Sequence, residues 1–234
     1  MLQFNRDDNM FKRFELLVGD KFEEIKNKNI LVIGVGGVGS YVVESLVRCG
    51  IENITIVDND IVDITNLNRQ LMTNLNNIGL KKVDVLKERI NSINKDCIVC
   101  AKDILVSEEN IDDIITNFDY VVDAVDDIKA KLAIIKCCFF KKIKLISSMG
   151  MGGRMNPSLL EITDIYKTSY DPLAKIMRYN LRKMGIKKLT VVCSCEKIKK
   201  KVKGIIPSNS FVPASAGLLI TSYIINDIVG GCDV

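Results

Sequence analysis

The chain has 234 residues, close to half of them hydrophobic, and a formal charge of +4 with both signs well represented. That suffices for one large α/β domain, or one domain with a smaller appendage, and the mild positive charge permits a polyanionic partner without demanding one. Histidine and tryptophan are both absent, which excludes Ser-His-Asp triads, histidine acid–base chemistry and histidine metal sites, and leaves catalysis to carboxylates, Lys, Arg, Cys, backbone amides and a bound metal.

In chain order, NILVIGV (29–35) is a continuous apolar run ending in glycines and predicts a buried first strand. Residues 38–49 carry apolar side chains at helical spacing up to Gly50, and ENITIVD (52–58) predicts a second strand rich in β-branched residues. Residues 79–93 are amphipathic, with Val83, Leu86 and Ile90 on one stripe, and CIVCAKD (97–103) predicts a strand. Ser107 is positioned as the N-cap of a helix with Glu108 and Glu109 in its first turn. YVVDAVD (120–126) and KLISSMG (144–150) predict two more buried strands, separated by a helix over 129–140. From Met151 the character changes: a turn-rich GGRMNPS, a short strand at LLEITDI, a helix over 171–184, a strand over 188–194, the lysine-rich EKIKKKVKG and a last helix over 214–229.

Alternating strands and helices predict an α/β fold: a Rossmann-like, doubly wound, mostly parallel sheet with helices on both faces and a C-terminal extension. Residues 1–150 are expected to form the nucleotide-binding part, and 151–234 an extension of the same domain devoted to substrate or dimer contacts. No apolar run is expected to span a bilayer; the longest, AGLLITSYII, suits a buried helix.

The eight cysteines mostly sit in apolar stretches, where a free Cys behaves as a small hydrophobe. With no signal peptide at the start, a reducing, cytoplasmic compartment is expected. The one CxxC, Cys97 and Cys100, is expected to direct both sulfurs to one side of a strand, and it lacks the second pair that a structural zinc needs.

The glycines Gly34, Gly36, Gly37 and Gly39 follow a strand and open a helix, where they permit a tight turn and a close approach of backbone amides to phosphates. Asp58 ends the second strand about 20 residues on, as a ribose-binding carboxylate does. The loop alone does not choose between NAD and ATP. Downstream, Asn66, Arg69, Gln70, Lys82 and Asp126 are expected at the C-terminal edge of the sheet, around the phosphates. Two cations and a carboxylate suit a triphosphate with Mg²⁺ better than a pyrophosphate bridge. Each has a plainer alternative: Lys82 as a solvated helix residue, Arg69 as a surface ion-pair partner, Asp126 as a helix cap.

GVGGVGS, the aspartate after the second strand, NLNRQ, the lysine of the next helix and VDAVD together resemble the E1-like adenylating superfamily of ThiF- and MoeB-like proteins. The resemblance implies that Asp58 holds the ribose, that Asn66, Arg69 and Lys82 contact the triphosphate, and that Asp126 coordinates Mg²⁺. It also implies that Arg13 reaches the ATP of a partner subunit, which makes the working unit a homodimer. SSMGMGG, the block DIYKTSYDPLAK, VVCSCE and SFVPASAGLLI resemble one branch, the tRNA threonylcarbamoyladenosine dehydratases. That branch implies adenylation of the carboxylate of a modified tRNA adenosine, followed by ring closure with release of AMP. The zinc cysteine pairs of the sulfur-carrier activators are missing, so no zinc is implied.

Lys197, Lys199, Lys200, Lys201 and Lys203 read either as contacts to the tRNA backbone or as a solvated loop. Cys193 and Cys195 carry no sign of a lowered thiol pKa and are expected to be structural. An activator of a ubiquitin-like sulfur carrier and an NAD-dependent oxidoreductase stay open as alternatives. So does assistance from a monovalent cation or an accessory sulfur-transfer protein.

Overall fold

A computed structural model describes residues 9–198, 204 and 206–231. Two short helices, α1 (Lys12–Val18) and α2 (Phe22–Lys26), precede β1 (Asn29–Ile33), α3 (Gly39–Arg48) and β2 (Asn53–Val57). Then follow α4 (Lys82–Ile93), β3 (Ile98–Lys102), α5 (Ile111–Ile114), β4 (Tyr120–Asp123), α6 (Ile128–Lys141) and β5 (Lys144–Ser148). The chain continues with β6 (Leu160–Asp164), α7 (Pro172–Lys183), β7 (Thr190–Ser194) and α8 (Phe211–Val229).

The seven strands form one sheet in the order β3-β2-β1-β4-β5-β7-β6, and only β6, paired with β7 at the edge, runs antiparallel. The expected α/β class and mostly parallel sheet are therefore present. Alternate residues of β1 serve opposite faces. Ile30 and Val32 join the core under α3, α4 and α8, while Leu31 and Ile33 join the core under α5 and α6. Burial on both faces explains why the strand reads as an unbroken apolar run. The strand order reverses between β1 and β4, where an open α/β sheet leaves a crevice at its carboxyl edge. Register sets Ile33 beside both Val57 and Asp123, so the turns after β1, β2 and β4 meet at that crevice.

Helix α8 fits closely onto α3. A Cβ at Gly217 would lie 2.6 Å from the carbonyl oxygen of Val38 and 2.9 Å from Cβ of Tyr41, so only glycine allows this approach. The helix begins three residues before the expected start because Pro213, in its first turn, has no intrahelical amide bond to lose. Its 19 residues are long and apolar enough, on length and composition alone, to cross a bilayer, which corrects the expectation that no segment is. Half of that stretch is buried within the fold, and Thr221 Oγ1 donates to the carbonyl of Val42 on α3 at 3.3 Å.

Two local expectations are also corrected. Ser107 caps no helix: α5 starts at Ile111, and the amide of Ser107 donates instead to Asn110 Oδ1 at 2.9 Å. Cys97 is buried and Cys100 exposed, since positions three apart on a strand face opposite sides.

Candidate functional site

The crevice is a cavity of about 950 Å³ lined by two groups of segments. One wall is the turn after β1 with Gly34, Gly36 and Gly37, then Asp58, and then Asn66, Arg69, Gln70 and Lys82; Ala124, Val125 and Asp126 follow β4. The other wall comes from later in the chain: the turn 150–154 after β5, the start of α7 from Asp171 to Ile176, and Ile206 to Ser208. The sequence thus brings nine of the expected nucleotide residues to one cavity: Gly34, Gly36, Gly37, Asp58, Asn66, Arg69, Gln70, Lys82 and Asp126. Gly39 lies outside the lining, at the buried start of α3.

Gly34 has φ +85°, and a Cβ there would lie 2.7 Å from the carbonyl oxygen of Ala124. This close crossing of two strand ends opens the turn toward the cavity. Val38, at the N-cap of α3, offers no side-chain cap; the amides of Ser40 and Tyr41 donate within the turn, to Gly36 O and Val38 O at 3.1 Å each, and the helix N-terminus turns its partial positive charge toward the loop.

Asp58 is half-buried, and its two oxygens accept the amides of Val35 at 2.8 Å and Asp60 at 2.9 Å. Burial pushes its carboxyl above the usual aspartate range, against the lowering effect of those amides and of Lys82. Each oxygen keeps acceptor capacity for a ligand hydroxyl.

Lys82 is no solvated helix residue: it is 5% exposed, with Nζ 2.6 Å from Asp60 Oδ2. Arg69 Nη1 donates to Thr65 O at 2.9 Å and Asn68 Oδ1 at 3.0 Å, and among the described residues no carboxylate pairs with it. Asn66 is buried and closes a capping box by accepting the amide of Asp63 at 3.1 Å. Gln70 is 5% exposed, and its Oε1 has no partner among the described residues. An N–H or O–H donor from a ligand would satisfy it. Asp126 is exposed at the cavity edge and caps nothing; the cap of α6 is Asp127, accepting the amide of Ala130 at 2.8 Å.

Arg13, on α1, is exposed and does not line the cavity of its own chain. Lys197 is exposed with Nζ 4.7 Å from the ring centroid of Tyr170, a cation–π contact. Lys199, Lys200, Lys201 and Lys203 lie outside the described residues.

Three features went unread in the sequence. Asp123, at the end of β4, forms a fully buried ion pair with Lys131 of α6 at 2.9 Å, and Ser147 of β5 donates to the same carboxylate. Asp171 caps α7 through the amide of Ala174 at 3.1 Å and accepts the amide of Gly150 at 2.9 Å, so it ties the two parts of the later wall together. Arg154 is 1% exposed beside the cavity. The VDAVD pattern could have flagged Asp123; nothing in the local sequence marks Arg154.

Cys193 and Cys195 are not activated nucleophiles. All seven described cysteines are free; burial pushes Cys193 up to about 12, and a hydrogen bond to Glu161 at 3.0 Å raises Cys195. Among the described residues no group of three or more Cys, Asp or Glu could hold a metal ion.

A model described as the ThiF family matches residues 9–225. The chain belongs to the ThiF family. A protein of Bacillus subtilis (strain 168) named tRNA threonylcarbamoyladenosine dehydratase is 41% identical over 244 residues, 96% of each chain. That likeness sets the chain within the dehydratase group. Two crystal structures of the E. coli tRNA N6-threonylcarbamoyladenosine dehydratase, one with AMP and one with ATP, are 32% identical to it. They superpose with TM-scores of 0.92 and 0.91 over 98% of both chains, so the whole architecture is shared.

Proposed function

We propose that this chain is an ATP-dependent enzyme that adenylates the carboxylate of N6-threonylcarbamoyladenosine in tRNA and closes that side chain into a ring. The observation that carries the reading is the two-walled cavity, which joins a nucleotide cradle to a wall built by the dehydratase-type segments after β5. A carboxylate oxygen attacks the α-phosphate of ATP and pyrophosphate leaves. A nitrogen of the same side chain then attacks the acyl carbon, loses its proton, and AMP departs with the former carboxylate oxygen. The balance is one water lost from the tRNA and one ATP split to AMP and pyrophosphate. Ring closure within one side chain has an effective molarity of about 10⁵ M or more, which suits a site without histidine.

In this reading Asp58 takes the ribose hydroxyls, and the glycine loop with the positive end of α3 cradles the phosphates. Lys82 and Arg69 neutralise charge building on the α-phosphate and on departing pyrophosphate. Lys82 is already desolvated, and exchanging Asp60 for a phosphate oxygen requires only a local move of an exposed aspartate. A Mg²⁺ ion fits the single free carboxylate of Asp126, because Mg²⁺ is held by one or two carboxylates together with substrate phosphates. When bound it supplies further charge neutralisation. Arg13 would complete the site from a second copy of the chain, which calls for a homodimer.

A tRNA partner suits the surface beside the cavity mouth. Lys167, Lys175, Arg182, Lys183, Lys187 and Lys188 are exposed on or around α7, where the only acid from 165 to 190 is the buried Asp171. Such unopposed cations neutralise backbone phosphates and make binding salt-dependent. The test is mass analysis of threonylcarbamoylated tRNA incubated with the protein and ATP. Loss of one water with matching AMP release is expected. ATP–pyrophosphate exchange that depends on a carrier protein ending in Gly-Gly would replace this reading with the sulfur-carrier activator, and tight NADH binding without exchange would replace it with an oxidoreductase.

A further inference from the structure

Arg154 carries a charge that the adenylation chemistry does not use. It follows the turn after β5, is 1% exposed and lines the cavity. Its Nη2 donates to the carbonyl of Tyr170 at 3.1 Å, whereas Nε and Nη1 have no hydrogen-bond partner among the described residues. No carboxylate pairs with it there, because the acids of this segment are engaged elsewhere. Asp171 accepts the amides of Gly150 and Ala174, Glu196 accepts those of Met155 and Asn156, and Glu161 accepts the thiols of Cys193 and Cys195. A guanidinium does not shed its proton, so burial leaves it charged and short of acceptors. A fold keeps so costly a group where a ligand completes it.

The position of Arg154 narrows the ligand. Its backbone carbonyl accepts Asn209 Nδ2 at 2.7 Å, and the preceding amide of Gly153 donates to Pro207 O at 2.7 Å. With Tyr170, every group holding it belongs to the segments that carry the later wall of the cavity or adjoin it, and none to the glycine loop or the segment from Asp58 to Lys82. The guanidinium is thus fixed, desolvated and aligned with the acceptor side, and charged planar donors of this kind select carboxylates and phosphates.

We infer that Arg154 anchors the carboxylate of the modified nucleoside, so that the enzyme distinguishes a carboxylate-bearing adenosine from an unmodified one. The inference rests on the dehydratase reading and deepens it. The anchor holds the substrate by charge-assisted hydrogen bonds and takes no proton.

The test compares wild type with Arg154→Gln and Arg154→Lys. Five quantities are measured: melting temperature, affinity for a non-hydrolysable ATP analogue, KM and kcat with threonylcarbamoylated tRNA, and affinity for the same tRNA lacking the modification. Arg154→Gln is expected to melt no lower than wild type, to bind the ATP analogue and unmodified tRNA as before, and to raise KM for modified tRNA by about 10- to 100-fold, the worth of a charged hydrogen bond. Arg154→Lys should recover part of that loss. An unchanged KM overturns the inference. So does a parallel loss of ATP-analogue affinity, which would assign Arg154 to phosphate, or a lower melting temperature with equal losses for every ligand, which would make it a structural prop. Failure of the dehydratase reading would appear separately, as a wild-type enzyme that forms no product; the anchor is then read from free N6-threonylcarbamoyladenosine, which wild type should bind and Arg154→Gln should not.

Discussion

Replacing Asp58 with Asn separates what the carboxylate does for the fold from what it does for the nucleotide. In the unliganded protein its oxygens accept two amides, of Val35 and Asp60, and asparagine has one oxygen with which to replace them. One such bond is worth about 0.5–1.5 kcal/mol net. Against that loss stands the charge. Burial raises the Asp58 carboxyl above its ordinary value, so the folded state binds a proton more readily than the unfolded chain. The resulting contribution to stability is complete below the unfolded value of about 3.9 and is lost as pH rises through the folded one. At neutral pH the ionised group therefore weighs against folding, and Asn removes that weight. The two effects oppose each other, and the net change in stability should stay within about 1 kcal/mol. Nucleotide binding has no such compensation. Two ribose hydroxyls donating to a charged acceptor are worth about 1.5–3 kcal/mol each, and a neutral acceptor gives about half of that. Affinity for ATP should fall about 10- to 150-fold. Calorimetric titration of ATP and urea unfolding of the same two proteins measure both sides. Wild-type affinity should also weaken more steeply than the variant's on acidification from a pH above the ordinary carboxylate range, since only wild type has the Asp58 carboxylate to lose. Unchanged ATP affinity in Asp58→Asn, or a loss of several kcal/mol in its stability, would refute the argument.

Lys131→Met leaves Asp123 charged and buried; stability to urea should drop by about 3–5 kcal/mol, and Asp123→Leu in the same chain should restore much of it. Gly34→Ala forces a side chain toward Ala124 at positive φ, so nucleotide affinity should fall at least tenfold or so by titration even where the protein still folds. Asp126→Ala should abolish pyrophosphate exchange with a melting curve like wild type, because the residue is exposed and holds nothing in the fold. Arg13→Ala and Asp126→Ala subunits, inactive separately, should regain part of the exchange activity when mixed, provided Arg13 acts across the dimer.

The central strands were legible because they are buried on both faces, as Ile30 to Ile33 show, and burial on both faces writes an unbroken apolar run into the chain. The glycine turn was legible for a related reason: a turn that must cross Ala124 at Gly34 tolerates little besides glycine. Helices α1 and α2 were not, since α1 buries no residue of its own and α2 only Phe22 and Ile25. The cap assigned to Ser107 failed because acidic residues after a serine suit a turn as well as a helix start; Asn110 took the local amide and left a single helical turn.

Lys131 and Arg154 show where sequence reading stops. Each sits in a stretch that suits a solvated cation, Lys131 within a lysine-bearing helix and Arg154 within a glycine turn. Both are fully buried. Lys131 meets its acceptors because α6 returns alongside β4 and β5 and brings Asp123 and Ser147 to its tip. Arg154 lies beside Tyr170 and Asn209, and among the described residues only one carbonyl reaches its guanidinium. Composition assigns the two cations the same charge, and periodicity assigns neither to the core. The difference appears only when each donor is matched to its acceptor. A satisfied pair is explained by the fold it stabilises, whereas an unsatisfied donor at the lining of a cavity is one that a ligand can complete. Lys131 therefore belongs to the scaffold beneath the cavity, and Arg154 to the later wall where the proposed substrate anchor lies.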